Sequence, residues 1–167
     1  VGEFKSADFF IKNYSKKYMI LVTTTTASAA EYASKKYGNL IIHQFAPLDV
    51  VIWVDRFLNY WNPSLVIWIE SDLWPTTLNL LKKRNIKSIL VNVRISPKSF
   101  KRWNYFPFLY KKLLDSFSEI FAQSKIDQER IRILTKRKIE FVGNLKLIPI
   151  LDNIKNNNNI SKNNSNL

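Results

Sequence analysis

The sequence contains no cysteine and one histidine, His43. The first absence excludes a disulfide framework and thiolate metal sites, and it is compatible with a reducing compartment. A lone imidazole argues against a zinc site built on histidines. No apolar run approaches the roughly 20 residues needed to span a bilayer, and no secretory signal is visible. The chain opens on Val1 rather than on methionine. It is therefore expected to be a fragment or a product with its start removed, and the lack of an N-terminal anchor says little about the parent protein. Acidic residues are scarce, 13 Asp+Glu against 26 Lys+Arg, for a net charge of +13. A surface of that sign favours an anionic partner: nucleic acid, an acidic membrane surface or a phosphorylated substrate.

What is present fits one folded domain. The chain has 167 residues, 46% hydrophobic and 14% aromatic, enough apolar surface for a packed core. The folded domain is expected over residues 1–148. Residues 149–167 form an Asn-rich stretch without periodicity, expected to be a disordered tail or linker. Short apolar runs read as strands at Tyr18–Val22, Leu40–His43, Leu65–Ile69, Ser88–Val93, Glu119–Ala122 and Ile139–Val142. Helical patterns fall between them at Ser28–Tyr37, Leu48–Tyr60, Pro75–Arg84, Phe108–Phe117 and Asp127–Leu134. Strands that are apolar throughout, alternating with helices, predict an α/β fold with a parallel sheet covered by helices on both faces.

In such sheets ligands bind beyond the carboxyl ends of the strands. The polar residues expected there are Thr23 to Thr26, His43 with Asp49, Glu70 with Asp72, Arg94 with Ser96, Gln123 with Ser124, and Lys146. Each also has an ordinary reading. Threonines before a helix can cap it, a single histidine can be structural, first-turn acids favour the helix dipole, and Arg94 can pair with a nearby carboxylate. Their placement at successive strand ends marks a crevice.

Taken together, these motifs resemble the Kdo transferase family, which attaches 3-deoxy-D-manno-octulosonic acid (Kdo) to lipid A. Val1-Gly2-Glu3 resembles the end of the family's Ser-Val-Gly-Glu segment, and Thr23 to Thr26 its Thr-rich turn. His43-Gln44-Phe45-Ala46-Pro47-Leu48-Asp49 resembles its His-x-Tyr-x-Pro-x-Asp segment, with Phe45 in place of the usual tyrosine. Pro63 with Glu70-Ser71-Asp72-Leu73-Trp74-Pro75 is the most distinctive match. Asn92-Val93-Arg94-Ile95-Ser96, Ala122-Gln123-Ser124 with Asp127, and Gly143-Asn144-Leu145-Lys146 follow in the family's order. Ser28-Ala29 stands where a Thr-Gly pair is common.

The resemblance implies a Rossmann-like, acceptor-side N-terminal domain of a GT-B glycosyltransferase. The implied reaction moves Kdo from CMP-Kdo to lipid A (lipid IVA) in lipopolysaccharide core biosynthesis. CMP-Kdo is then a donor substrate bound by a C-terminal domain that this chain lacks; no metal or other cofactor is implied, and the isolated chain is expected to be inactive. Glu3 matches the family's general base and would end a missing first strand at the crevice. Glu70 is the second catalytic carboxylate. Thr24, Thr25, His43, Asp72, Arg94, Ser96, Gln123, Ser124 and Lys146 are expected to bind the acceptor or its anionic groups.

Residues 98–112, KSFKRWNYFPFLYKK, combine basic and aromatic side chains. Trp and Tyr favour the headgroup level and Lys and Arg are attracted to anionic lipid. Membrane contact is therefore expected at Lys101, Arg102, Trp103 and Phe106. The expected location is the cytoplasmic face of the cell inner membrane, peripheral or through an anchor outside this chain. Two other readings remain open at this point: a basic nucleic-acid-binding α/β module, although no nucleic acid is expected as partner, and a non-catalytic relative that binds lipid.

Overall fold

The computed structural model describes the backbone of residues 2–70 and 73–141, and the side chains from residue 7 onward within those ranges. Among the described residues seven α-helices and six strands follow one another: α1 (Gly2–Tyr14), β1 (Leu21–Thr24), α2 (Ala27–Tyr37), β2 (Ile42–Phe45), α3 (Val51–Trp61), β3 (Leu65–Ile69), α4 (Pro75–Lys83), β4 (Lys87–Val93), α5 (Pro97–Asn104), α6 (Pro107–Leu114), β5 (Glu119–Ala122), α7 (Lys125–Thr135) and β6 (Glu140–Phe141). Every strand pairing is parallel. The strands form a pair, β1-β2, and a four-stranded sheet in the order β3-β4-β5-β6. The α/β class and parallel pairing agree with the sequence; the division into two sheets was not foreseen.

Alternation along the strands explains the layering. On β4, Ile89 and Val91 pack with Phe10 of α1, while Leu90 faces the other way toward Tyr110, Leu114 and Ile131 of α6 and α7. Helices therefore cover both faces of the four-stranded sheet. Helix α1 also bridges the two sheets. Phe10 lies against β3, β4 and β5, and its neighbour Ile11 packs with Val22, Ala33 and Tyr37 of the β1-β2 side. The stripe Ala7, Phe10, Ile11, Tyr14 has the i, i+3, i+4, i+7 spacing of an amphipathic helix. Helices α3 and α4 close a fourth cluster through Val54, Leu58 and Leu81.

Several boundaries differ from expectation. Strand β1 starts at Leu21 because Tyr18 belongs to the turn that ends α1: its amide donates to the Tyr14 carbonyl at 2.9 Å, and Met19 is 75% exposed. Thr23 and Thr24 are thus strand residues, as their β-branched side chains permit. Leu40 closes a 3-10 turn at Gly38–Leu40, which shifts β2 from the expected Leu40–His43 to Ile42–Phe45, so that it takes in Gln44 and Phe45. Helix α7 starts at Lys125, since Ser124 Oγ accepts the Asp127 amide and acts as its cap. Glu3, expected to terminate a strand, has its backbone in the first turn of α1. The stretch 149–167, Asp72 and Lys146 lie outside the described residues.

The 98–112 segment is two short helices rather than one surface strip, and the pair sorts its aromatics. Trp103 stacks on Tyr110 with ring centroids 4.9 Å apart and joins Phe100 against the core. Tyr105, Phe106 and Phe108 point outward, with Phe106 63% and Phe108 78% exposed. Trp103 therefore serves packing first, and the exposed aromatic face belongs to its neighbours.

Candidate active site at the carboxyl ends of the strands

Because the strands run parallel, their carboxyl ends meet on one edge of each sheet. At the β3 end, Glu70 has φ +67°, a left-handed conformation that is uncommon and strained for a glutamate. Its amide donates to the Val91 carbonyl of β4 at 2.9 Å, so the ladder continues into the kinked residue. On β4 the next residue along, Asn92, is also left-handed, φ +56°. Two strained residues thus sit side by side on neighbouring strands.

The Asn92 kink has a consequence for the residues after it. The pairing of β4 with β5 shifts register between Leu90 and Val93, a β-bulge. One extra residue reverses the alternation. Val93 and Ile95 now fall on the same buried face as Leu90, and Arg94 and Ser96 are turned outward and exposed. Without the bulge, Arg94 would be aimed into the core. Asn92 is visible in the sequence as the start of the Asn92–Ser96 motif, but its backbone conformation is not, because asparagine only hints at a left-handed site.

Arg94, Ser96 and Ser124 are joined through a second set of contacts. Asp127 is buried, 7% exposed, and its carboxylate accepts the Ile95 amide at 2.9 Å and the Ser124 hydroxyl at 2.5 Å. Arg130 Nη1 donates to the Ile95 carbonyl at 3.0 Å. Ser96 in turn caps α5 by accepting the Ser99 amide at 3.1 Å. Burial, and then the negative charge of Asp127, push the Tyr110 phenol up to about 12. Gln123 is exposed at the β5 end, and its amide donates to the Val93 carbonyl at 2.9 Å.

On the smaller sheet, Thr24 is buried, and its Oγ1 shares a 2.9 Å hydrogen bond with His43 Nε2 across the β1-β2 pair. His43 also meets the Phe45 ring edge-on at 5.4 Å. Thr25 is exposed, and Thr26 caps α2 by accepting the Ala29 amide at 3.3 Å. Asp49 ties the loop after β2 to the first turn of α4, the helix that follows β3. Its carboxylate accepts the Thr76 and Thr77 amides at 3.0 and 2.8 Å. Burial would raise this carboxyl, but the bonds from Thr77 and Thr76 outweigh it and hold it below the usual 3.8. Asp49 thus links the segment that leaves β2 to the helix that follows β3. Beside this loop, Phe45, Pro47, Trp53, Arg56, Tyr60 and Trp61 line an open aromatic cleft of about 590 Å³.

Comparison with known proteins accords with this arrangement. Residues 1–148 match the family model of the 3-deoxy-D-manno-octulosonic-acid transferase (kdotransferase) N-terminal region. A 3-deoxy-D-manno-octulosonic acid transferase of Rickettsia felis is 40% identical over 149 residues, 87% of this chain and 32% of the relative. A probable mitochondrial 3-deoxy-D-manno-octulosonic acid transferase of Arabidopsis thaliana is 39% identical over 134 residues, 77% of this chain and 30% of the relative. The Haemophilus influenzae transferase of the same name is 30% identical, covering 87% of this chain and 35% of the relative. The chain thus spans about a third of the length of these curated relatives. With its parallel α/β architecture and a family match over residues 1–148, the chain belongs to the Kdo transferase family of glycosyltransferases.

Proposed function

We propose that this chain forms the acceptor-side domain of an enzyme that transfers Kdo from CMP-Kdo to the lipid A precursor lipid IVA. The observation that carries the reading is the pair of left-handed strand ends, Glu70 and Asn92. In this reading the first aims a carboxylate at the crevice, and the second, with the register shift that follows it, supports Arg94 facing outward at the end of the neighbouring strand. Strain of this kind costs of order 1–3 kcal/mol per residue and persists where a site requires it.

In the transfer, the acceptor hydroxyl oxygen forms a bond to the anomeric carbon of Kdo as the bond to the CMP phosphate breaks and CMP departs. A sugar hydroxyl is a poor nucleophile at neutral pH. Glu3, the match to the family's base, takes its proton as the bond forms, a contribution of about 10²–10⁴-fold for a positioned general base. Glu70 orients the acceptor or a basic partner. Arg94 and Lys146 meet phosphate or carboxylate charge, with Ser96 and Ser124 at helix N-termini adding anion affinity. Thr24, Thr25, His43, Asp72 and Gln123 complete the acceptor crevice. CMP-Kdo is bound mainly by the remainder of the longer protein, and no further cofactor takes part.

The acceptor is a lipid, so the domain works at the cytoplasmic face of the inner membrane. Exposed Tyr105, Phe106, Phe108 and Leu109 beside exposed Lys98, Lys101 and Arg102 support that placement. The test is mass spectrometry of lipid IVA incubated with CMP-Kdo and the full-length protein. One or more added Kdo units are expected, and an unchanged acceptor would refute the reading. The 167-residue chain alone is expected to add none; turnover from it would overturn the assignment of the donor site to the rest of the protein.

A further inference from the structure

The geometry points to Asp127 and Arg130 as positioning residues that set the aim of Arg94 and Ser96 by gripping the residue between them. The inference rests on reading the strand-end crevice as the acceptor site. Ile95 is held on both sides. Its amide donates to Asp127 Oδ1 at 2.9 Å, its carbonyl accepts from Arg130 Nη1 at 3.0 Å, and its side chain is buried in the core. These bonds fix the two peptide planes that flank Ile95. One plane belongs to the Arg94–Ile95 link and the other to the Ile95–Ser96 link. The backbones of Arg94 and Ser96 are thereby referenced to α7, which is otherwise remote in sequence.

A purely local role for Asp127 does not explain this geometry. In a capping box the acid at the third helical position reaches back to the backbone amide of the cap residue. Here Ser124 Oγ already caps α7 by accepting the Asp127 amide at 3.1 Å. The Asp127 carboxylate instead accepts the Ser124 hydroxyl and, 32 residues away, the Ile95 amide. Burying a carboxylate is costly unless its oxygens are bonded, and both oxygens of Asp127 are engaged. Arg130 lies one turn further along α7, on the same face by the i, i+3 rule, and takes the opposite side of the same residue. Ile95 is also the second residue after β4, just beyond the bulge that turns Arg94 outward. The bulge chooses the face on which Arg94 emerges; the clamp sets where the chain goes next. Because Ser96 caps α5, the clamp also fixes the start of the helix that carries Lys98, Lys101 and Arg102.

The test uses the full-length protein with CMP-Kdo and lipid IVA, together with hydrogen exchange at the Ile95 amide. Asp127→Ala is expected to lower kcat/KM roughly 10-fold to 100-fold, as misplacement of a binding group by a fraction of an ångström to an ångström does. Asp127→Asn, which keeps an oxygen acceptor for Ile95, is expected to recover most of that loss. On an Arg94→Ala background, Asp127→Ala is expected to cost several-fold less than it does in the wild type, because a large part of its effect acts through Arg94. Losses that multiply would overturn the inference. Should Asp127→Ala fail to fold, Arg130→Met carries the same cycle, since it removes only the bond to the Ile95 carbonyl from a half-buried side chain. The Ile95 amide is expected to be protected in the wild type and to exchange at least about tenfold faster in Asp127→Ala. Rapid exchange in the wild type overturns the clamp. A protected amide in a protein that transfers no Kdo instead overturns the reading of the crevice.

Discussion

The Asp49 carboxylate accepts both the Thr77 amide, at 2.8 Å, and the Thr77 hydroxyl, at 2.7 Å. Helix α4 has Trp74 at its cap position and no side-chain cap of its own. Asp49 therefore caps it from the loop after β2. Asp49→Ala is expected to cost about 1–2 kcal/mol, the usual effect of losing a cap, read as a lower urea midpoint. The pH dependence follows from the sign of the shift. The folded carboxyl is held below its usual 3.8, so its stabilisation is full above that value and fades as pH falls through the lower folded value. The stability gap between wild type and Asp49→Asn should therefore narrow below about pH 4.

Asn92 provides a backbone test. A glycine accepts φ +56° without strain, so Asn92→Gly is expected to stay within about 1 kcal/mol of wild type. Asn92→Val forces a β-branched residue into a left-handed site and is expected to cost about 2 kcal/mol or more. Chemical denaturation of the two variants checks the difference. Equal stabilities would remove the case that the bulge needs a left-handed residue.

The sequence was most legible where one physical rule acted alone. Leu65–Ile69 is a continuous apolar run between polar neighbours, and Ile120–Ala122 is another that follows Glu119; the strands Leu65–Ile69 and Glu119–Ala122 occupy them. Tyr18 and Met19 misled because they are apolar yet exposed, held in the turn after α1. Helix α1 is legible in its Ala7, Phe10, Ile11, Tyr14 stripe, but its first residues, Gly2 and Glu3, also belong to a motif that suggested a strand end. The aromatics of 98–112 could not be sorted into inward and outward sets without the break between α5 and α6. Asp49 and Asp127 were visible as motif residues, but their partners lie 28 and 32 residues away. No local pattern encodes such pairings. Glu70 was found by its place after a strand, whereas its strain appears only in the backbone angles.

The two halves of the aromatic surface should separate experimentally. Trp103→Ala removes a ring packed on Tyr110 and is expected to cost about 3 kcal/mol, seen as a large drop in melting temperature. Phe106→Ser with Phe108→Ser should change stability by less than about 0.5 kcal/mol each. The same double variant is expected to weaken sedimentation with anionic phospholipid vesicles. Unchanged vesicle binding would remove these side chains from the membrane contact.

Glu70 should display a trade between stability and activity. Glu70→Gly relieves the left-handed strain at φ +67° and is expected to raise stability by about 1 kcal/mol. Transfer of Kdo by the full-length protein should nonetheless fall at least about 100-fold with the carboxylate gone. A variant that is both more stable and fully active would show that the strained carboxylate has no part in the reaction.

The most direct measurement is the transfer rate of full-length Glu3→Gln, with CMP-Kdo and lipid IVA both saturating. Glutamine keeps the size and hydrogen-bonding reach of the side chain but accepts no proton at neutral pH. A fall in kcat of about 10²–10⁴-fold, with substrate binding retained, is the expected result. Turnover near the wild-type rate would contradict the role of Glu3 as the base.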